Sequence, residues 1–177
     1  LRVGLYTSLI EMGANITFSN KRKINGETVA DISASYSKLK GITIPKKRVA
    51  SMIDEYPILS IAAVKAKGST IMEGVEELRY KETDRISAIC EGLNSIGVET
   101  VDTKDRVVIK GKGPDCILNG NKTIISKNDH RIAMSFLCLG LITENPITVL
   151  DTDTINSSFP SFFEIMNGIG AKLKRIK

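Results

Sequence analysis

Three charged segments combine acidic and basic side chains close to predicted helix starts. They cover residues 53–57 (Ile-Asp-Glu-Tyr-Pro), 76–85 (Glu-Glu-Leu-Arg-Tyr-Lys-Glu-Thr-Asp-Arg) and 128–131 (Asn-Asp-His-Arg). Carboxylates can transfer protons, and a guanidinium group can hold a carboxylate or phosphate through its planar fork. Helix N-termini attract anions as well, so segments of this kind can form a site for an anionic ligand.

The segment 76–85 also permits a purely structural interpretation. Glu82 and Arg85 are three residues apart and Lys81 and Arg85 are four apart, so on a helix all of them would share one face. Such a charge-rich run is usually a salt-bridged surface. Its place at a strand-to-helix junction of an apolar α/β unit instead favours a functional site.

The other segments leave similar alternatives open. Asp54 precedes an apolar helix and could simply cap it, which is worth about 1 kcal/mol. Arg131 begins a strongly apolar helix and needs a paired charge, which Asp129 or another carboxylate could supply; otherwise Arg131 binds a ligand. Further along, Ser158 and Pro160 match the cap and first turn of a last helix, and there the structural interpretation is preferred.

The elements that position these residues follow from a repeated pattern. An apolar helical stripe ends at a glycine, where a left-handed C-cap stops the helix and the chain turns into a strand. The pattern covers residues 5–18, 86–101 and 162–176, with glycines at 13, 97 and 170. Between these repeats, helices at 57–63 and 131–137 lead to strands at 70–72 and 148–150.

Equivalent positions of the repeats are roughly 75 residues apart, the size of a whole α/β unit. We therefore predict two full units preceded by part of another, forming one α/β domain over residues 1–177 without an internal linker. Further strands are predicted at 29–33 and 42–44, and 106–110 is predicted to pair with 100–102. The helix after His130 is apolar nearly all round, through Leu141 and Ile142, and is predicted to be buried.

Composition narrows the function classes. The net charge is +5 and aromatic residues make up 5% of the chain, with no tryptophan, so basic runs are interpreted as solvated surface and not as a nucleic-acid interface. The spacing of Cys90, Cys116 and Cys138 fits no metal motif, and His130 is the single histidine; Cys90 and Cys138 are predicted to be buried free thiols. Neither a membrane span nor a secretory signal is visible, and a cytoplasmic protein is expected.

Taken together and in order, residues 52–59, 77–85, 129–134 and 158–160 resemble the C-terminal half of the 5-enolpyruvylshikimate-3-phosphate synthase family. The resemblance covers essentially the whole chain. It implies an inside-out α/β barrel of repeated βαβαββ-type units, with helices inside and sheets outside. It also implies that the chain is the C-terminal domain, that the N-terminal domain is absent, and that the active site lies in the cleft between them.

The resemblance further implies a reaction. Phosphoenolpyruvate donates its enolpyruvyl group to the 5-hydroxyl of shikimate 3-phosphate, with release of phosphate, in aromatic amino-acid biosynthesis. Asp54 would accept the hydroxyl proton, and Glu82 would act as acid or base at the methylene carbon. Lys81 would contact shikimate 3-phosphate, and Arg85 and Arg131 would bind phosphoenolpyruvate. Neither a metal nor an organic cofactor is implied, and His130 is given no catalytic role.

One residue departs from the family pattern. Ser157 stands where many members carry a lysine, which removes one expected contact. Since the other ligand-binding residues belong to the N-terminal half, the chain alone is expected to be inactive. The alternatives are UDP-N-acetylglucosamine enolpyruvyl transferase, which should lack the segments 81–85 and 129–131, and an RNA-binding or RNA-end-processing domain of similar fold.

Overall fold

Helices and strands alternate along most of the chain, as the repeated pattern predicts. The computed structural model describes residues 2–176. The helices are α1 Gly4–Glu11, α2 Tyr56–Val64, α3 Arg85–Ser95, α4 His130–Leu139, α5 Thr154–Ser158 and α6 Phe162–Gly168. The strands are β1 Asn15–Ile24, β2 Glu27–Ser35, β3 Thr43–Ile44, β4 Lys67–Glu73, β5 Thr100–Asp102, β6 Arg106–Lys112, β7 Thr123–Ile125 and β8 Thr148–Leu150.

The middle of the chain forms a complete βαβαββ unit. It runs β3–α2–β4–α3–β5–β6, and its sheet has the order β3-β4-β6-β5. β3 pairs with β4 in parallel, with Thr43 opposite Ile71, whereas β6 pairs antiparallel with both β4 and β5. In β6 the buried Val107 and Ile109 alternate with more accessible neighbours, which confirms the alternating strand predicted there.

The elements on either side of it form incomplete units of the same type. The helix α1 is followed by the antiparallel hairpin β1-β2, and α4 connects the parallel strands β7 and β8. The prediction of a second full unit is wrong within residues 2–176, because no strand follows Gly170. The backbone of Leu173 instead bonds to the side-chain amide of Asn167, which ties this segment to α6.

Helices occupy the interior. α2 packs against α3 and α4, and the strands of the complete unit cover it from outside. Close packing of α3 on α4 depends on Gly92, since a methyl group there would lie 2.2 Å from Cζ of Phe136. The prediction of an all-round buried α4 holds only up to Leu139: Leu141 and Ile142 lie in a 3₁₀ turn after it and are exposed.

The residues before the last helix differ from the prediction. Ser158 does not cap that helix; it ends α5, and α6 begins only at Phe162. Phe159 between them is non-helical, with φ −146° and ψ 75°, because the residue before a proline is pushed away from the helical region. Pro160 therefore separates two short helices instead of starting one.

None of the helices within residues 2–176 has the length and apolarity needed to cross a bilayer. A hollow of about 960 Å³ is bordered by β8, the end of α4 and residues 170–176. None of the predicted site residues lines it. The three charged segments lie elsewhere on the molecule.

The packing of α3 on α4 makes a prediction about two glycines. Gly92→Ala should lower the free energy of unfolding by about 1–3 kcal/mol, because the added methyl overpacks the contact with Phe136. Gly168→Ala, in α6 with open space around it, should instead raise it by about 0.4–1 kcal/mol. Urea unfolding of both variants measures the two signs, and equal effects would contradict this account of the core.

Candidate functional site

The guanidinium group of Arg85 is the centre of the site. Arg85 is the first residue of α3 and is only 1% exposed. In the described part of the chain it contacts three carboxylates: Nε donates to Asp129 at 2.8 Å, Nη1 to Asp54 at 3.1 Å and Nη2 to Glu82 at 2.6 Å. A buried guanidinium is tolerated only when it is paired in this way.

Helix N-termini explain why carboxylates gather here. Arg85 begins α3, Asp129 caps α4, and Asp54 lies in the 3₁₀ turn directly before α2. The N-terminal end of a helix carries a partial positive charge, which adds to that of the guanidinium group. The fully buried Asp129 interacts with both positive charges. Its Oδ1 accepts hydrogen bonds from the backbone N–H of Arg131 and Ile132, while Oδ2 accepts one from Arg85.

Asp54 connects Arg85 to two further arginines. Arg131 approaches it with Nη2 at 3.7 Å from Oδ2 and donates from Nη1 to the Asp54 backbone carbonyl at 3.2 Å. Arg2 donates to the same carboxylate oxygen. Glu55 lies beside both arginines, at 3.4 Å from Arg2 and 3.5 Å from Arg131. We call the resulting set the charge cluster: Arg2, Asp54, Glu55, Glu82, Arg85, Asp129 and Arg131.

The charge cluster is buried at one end and open at the other. Arg85 and Asp129 are inaccessible, whereas the side chains of Arg131 and Glu82 are 31% and 48% exposed. Burial by itself raises the pKa of Asp54, but hydrogen bonds from Arg2 and Arg85 and the charge of Arg131 outweigh it. The pKa of Asp54 therefore lies below its ordinary value, and the group is ionised at neutral pH.

The structure thus brings together Asp54, Glu82, Arg85 and Arg131, but not Lys81. Nζ of Lys81 contacts Glu77 at 2.7 Å. The alternative of a shared helical face over residues 81–85 does not apply, because Lys81 is extended and α3 begins only at Arg85. Glu82, three residues before Arg85, still accepts a hydrogen bond from its Nη2.

Capping and pairing also differ from the structural alternatives. In residues 2–176, Asp54 makes no capping hydrogen bond to α2. Asp129 does cap α4, yet its ionic partner is Arg85 and not the neighbouring Arg131, which pairs with Asp54 and Glu55, as the alternative of another carboxylate allowed. The participation of Arg2 was not predicted from the sequence; it is 52 residues from Asp54, and no local pattern links the two.

A small hollow of about 220 Å³ adjoins the charge cluster. Asp54, Glu55 and Arg131 line it together with Cys138 and Phe159. Cys138 is half-buried and Cys90 is buried; both are free thiols, and burial raises the pKa of each. In the described residues, no group of three or more histidine, cysteine, aspartate or glutamate side chains is arranged to hold a metal ion.

Solved structures identify the class of fold. EPSP synthase from Acinetobacter baumannii superimposes with a TM-score of 0.91 at 44% identity, covering 96% of this chain and 39% of that one. The enolpyruvyl transferase NikO from Streptomyces tendae shares the fold at 16% identity and a TM-score of 0.69, over 98% of this chain and 36% of that one. The chain therefore has the enolpyruvyl transferase fold, as its resemblance implied.

Sequence relatives then identify the family. The family described as EPSP synthase (3-phosphoshikimate 1-carboxyvinyltransferase) matches residues 1–166. A 3-phosphoshikimate 1-carboxyvinyltransferase from Paracoccus denitrificans is 51% identical over 172 residues, 97% of this chain and 38% of its own length. The chain belongs to the EPSP synthase family and spans about two fifths of the curated relatives it matches. These matches support neither of the alternative functions considered from the sequence.

The lowered pKa of Asp54 predicts how stability depends on pH. Asp54→Asn should reduce the free energy of unfolding by about 1.5–3 kcal/mol near pH 6, because ionised Asp54 holds arginines in the folded state. A depressed pKa means that this contribution is present above the unfolded value of about 3.9 and is lost as pH falls below it. Denaturant unfolding between pH 6 and 3 should show the two proteins converging; a constant difference would contradict the pairing.

Proposed function

We propose that this chain is the C-terminal domain of a 5-enolpyruvylshikimate-3-phosphate synthase. That enzyme would transfer the enolpyruvyl group of phosphoenolpyruvate to the 5-hydroxyl of shikimate 3-phosphate and release phosphate. The observation that carries the proposal is the convergence of Arg85 and Arg131 on Asp54 at the N-termini of core helices. The names of the relatives support the same substrates.

Phosphoenolpyruvate would bind to Arg85 and Arg131. It carries a carboxylate and a phosphate, and planar guanidinium groups hold such anions in a fixed orientation, which lowers the entropic barrier of a two-substrate reaction. Arg131 is half-buried, and its contacts with the side chains of Asp54 and Glu55 are long, at 3.7 and 3.5 Å. An anionic ligand could replace them without breaking the short, buried bond between Arg85 and Asp129.

The acid–base roles would fall to Asp54 and Glu82. Asp54 is ionised and can accept the proton of the attacking hydroxyl, although its arginine partners weaken it as a base. When phosphoenolpyruvate binds Arg131 in place of Asp54, the ionised form of Asp54 loses part of its stabilisation by arginines, and Asp54 becomes a stronger base. Glu82 lies on the exposed side of Arg85, where it could exchange a proton with the methylene carbon.

Lys81 would contact shikimate 3-phosphate after leaving Glu77. The Lys81–Glu77 pair involves a carboxylate that is 62% exposed, and such surface pairs contribute only about 0–1 kcal/mol. The ammonium group is therefore available to a phosphate or hydroxyl at little cost in free energy. The geometry places this side chain outside the charge cluster, which agrees with contact to the second substrate and not to phosphoenolpyruvate.

Charge balance explains why another domain is needed. Counted over residues 2–176, the charge cluster contains four carboxylates and three guanidinium groups, so it does not by itself attract a trianionic ligand. Additional cationic side chains must come from the opposite wall of the cleft. We propose that the N-terminal domain of the whole enzyme supplies that wall and is this chain's partner.

The proposal predicts activity only in a complete enzyme. The isolated chain should release no phosphate from the two substrates. A hybrid protein, in which this chain replaces the matching segment of the Paracoccus denitrificans relative, should release phosphate only when both substrates are present. A folded hybrid without activity, under conditions where the parent relative is active, would refute the proposed function.

In the active hybrid protein, Arg131→Ala should weaken phosphoenolpyruvate binding by about 2–5 kcal/mol, because a guanidinium partner of the anion is removed. Steady-state kinetics with varied phosphoenolpyruvate would measure this as a raised KM. Arg22→Ala is the matched control, since Arg22 also pairs with an aspartate but lies on the exposed β1-β2 hairpin. Equal effects of the two changes would contradict the assignment of Arg131.

A further inference from the structure

Asp129 bridges two arginines of the charge cluster through its two different oxygens. Oδ2 accepts from Nε of Arg85 at 2.8 Å. Oδ1 accepts from the backbone N–H of Arg131 at 2.9 Å and of Ile132 at 3.2 Å. The side chain is completely buried, so Asp129 lies behind both arginines and away from the open side of the site.

The contact at Nε fixes the direction of the Arg85 fork. A guanidinium group is planar, so holding its Nε edge determines where Nη1 and Nη2 point. In this structure they point to Asp54 and Glu82, which are the more exposed carboxylates around it. Asp129 thus orients the two nitrogen atoms whose carboxylate partners a ligand would displace.

The same carboxylate also fixes the position of Arg131. By capping α4 it orders the first turn of that helix, and Arg131 is the second residue of the turn. One buried side chain therefore sets both the orientation of Arg85 and the backbone position of Arg131. A loss of either contact would change the spacing between the two guanidinium groups.

We propose, on the basis of the proposed function, that Asp129 is a positioning residue for phosphoenolpyruvate. It does not touch the substrate; it sets the spacing and orientation of Arg85 and Arg131 so that one ligand meets both. The competing interpretation is that Asp129 only caps α4 and neutralises Arg85. The two interpretations differ in which substrate is affected when its charge is removed.

Asp84 offers a matched control within the chain. It caps α3 by accepting from the backbone N–H of Ser87 at 3.0 Å, and it pairs with Arg79 at 2.8 Å. Each of the two aspartates thus caps a helix and pairs with an arginine, but within residues 2–176 the side chain of Asp84 contacts no member of the charge cluster. Asparagine caps helices as well as aspartate does, so replacement by Asn removes the charge and preserves the cap.

The test compares Asp129→Asn with Asp84→Asn in the active hybrid protein. Asp129→Asn should raise the KM for phosphoenolpyruvate on the order of 10- to 100-fold, as expected for a misplaced binding group, and should change the KM for shikimate 3-phosphate less than about twofold. Asp84→Asn should change neither. If the Asp129→Asn protein does not fold, Asp129→Ser, which keeps a capping oxygen, replaces it in the same assay.

A double variant separates positioning from a general structural effect. If Asp129 acts through Arg85, adding Arg85→Lys to Asp129→Asn should raise the KM for phosphoenolpyruvate no further than Arg85→Lys alone. Multiplicative losses, or equal changes for both substrates, would overturn the inference. A hybrid protein that is folded but inactive before any substitution overturns the proposed function and this inference together, whereas an active one with an unaffected Asp129→Asn variant overturns the inference alone.

Discussion

A buried guanidinium group is the constraint on which the rest of the site depends. Arg85 begins a core helix, where both the loss of solvent and the positive helix terminus oppose its charge. The structure can keep it there only by directing Asp54, Glu82 and Asp129 to the same point. Because these carboxylates come from different parts of the chain, their pairing with Arg85 also determines how α2, α3 and α4 meet in the interior.

The same constraint connects folding to the proposed chemistry. Without a ligand, the guanidinium groups of Arg85 and Arg131 are occupied by carboxylates, among which are the proposed proton-transfer groups Asp54 and Glu82. A phosphoenolpyruvate molecule would compete with those carboxylates for the same donors, so binding of the anion and the basicity of Asp54 are linked. Asp129 stays outside this competition because it is fully buried and its second oxygen is committed to the helix cap.

Local patterns predicted most of the fold, whereas long-range charge pairing was not predictable. Apolar periodicity with a glycine at the helix end correctly located α3 and its strand, because both signals act within one turn. The same pattern failed after Gly170, since a strand also needs a neighbour to pair with. Asp129 was considered only as a partner for the neighbouring Arg131, whereas its ionic partner Arg85 is 44 residues away. The junction before α3 was predicted from the same local signals, and Lys81 lies in it, before the helix begins at Arg85.

The most direct test of the central claim is a crystal structure of the hybrid protein with phosphoenolpyruvate and shikimate 3-phosphate bound. The account predicts that Arg131 turns from Asp54 and Glu55 to the phosphoenolpyruvate anion, while Nε of Arg85 remains about 2.8 Å from Asp129. It also predicts that Nη atoms of Arg85 face the same ligand. Phosphoenolpyruvate bound without contact to either arginine, or Arg85 detached from Asp129, would contradict the account.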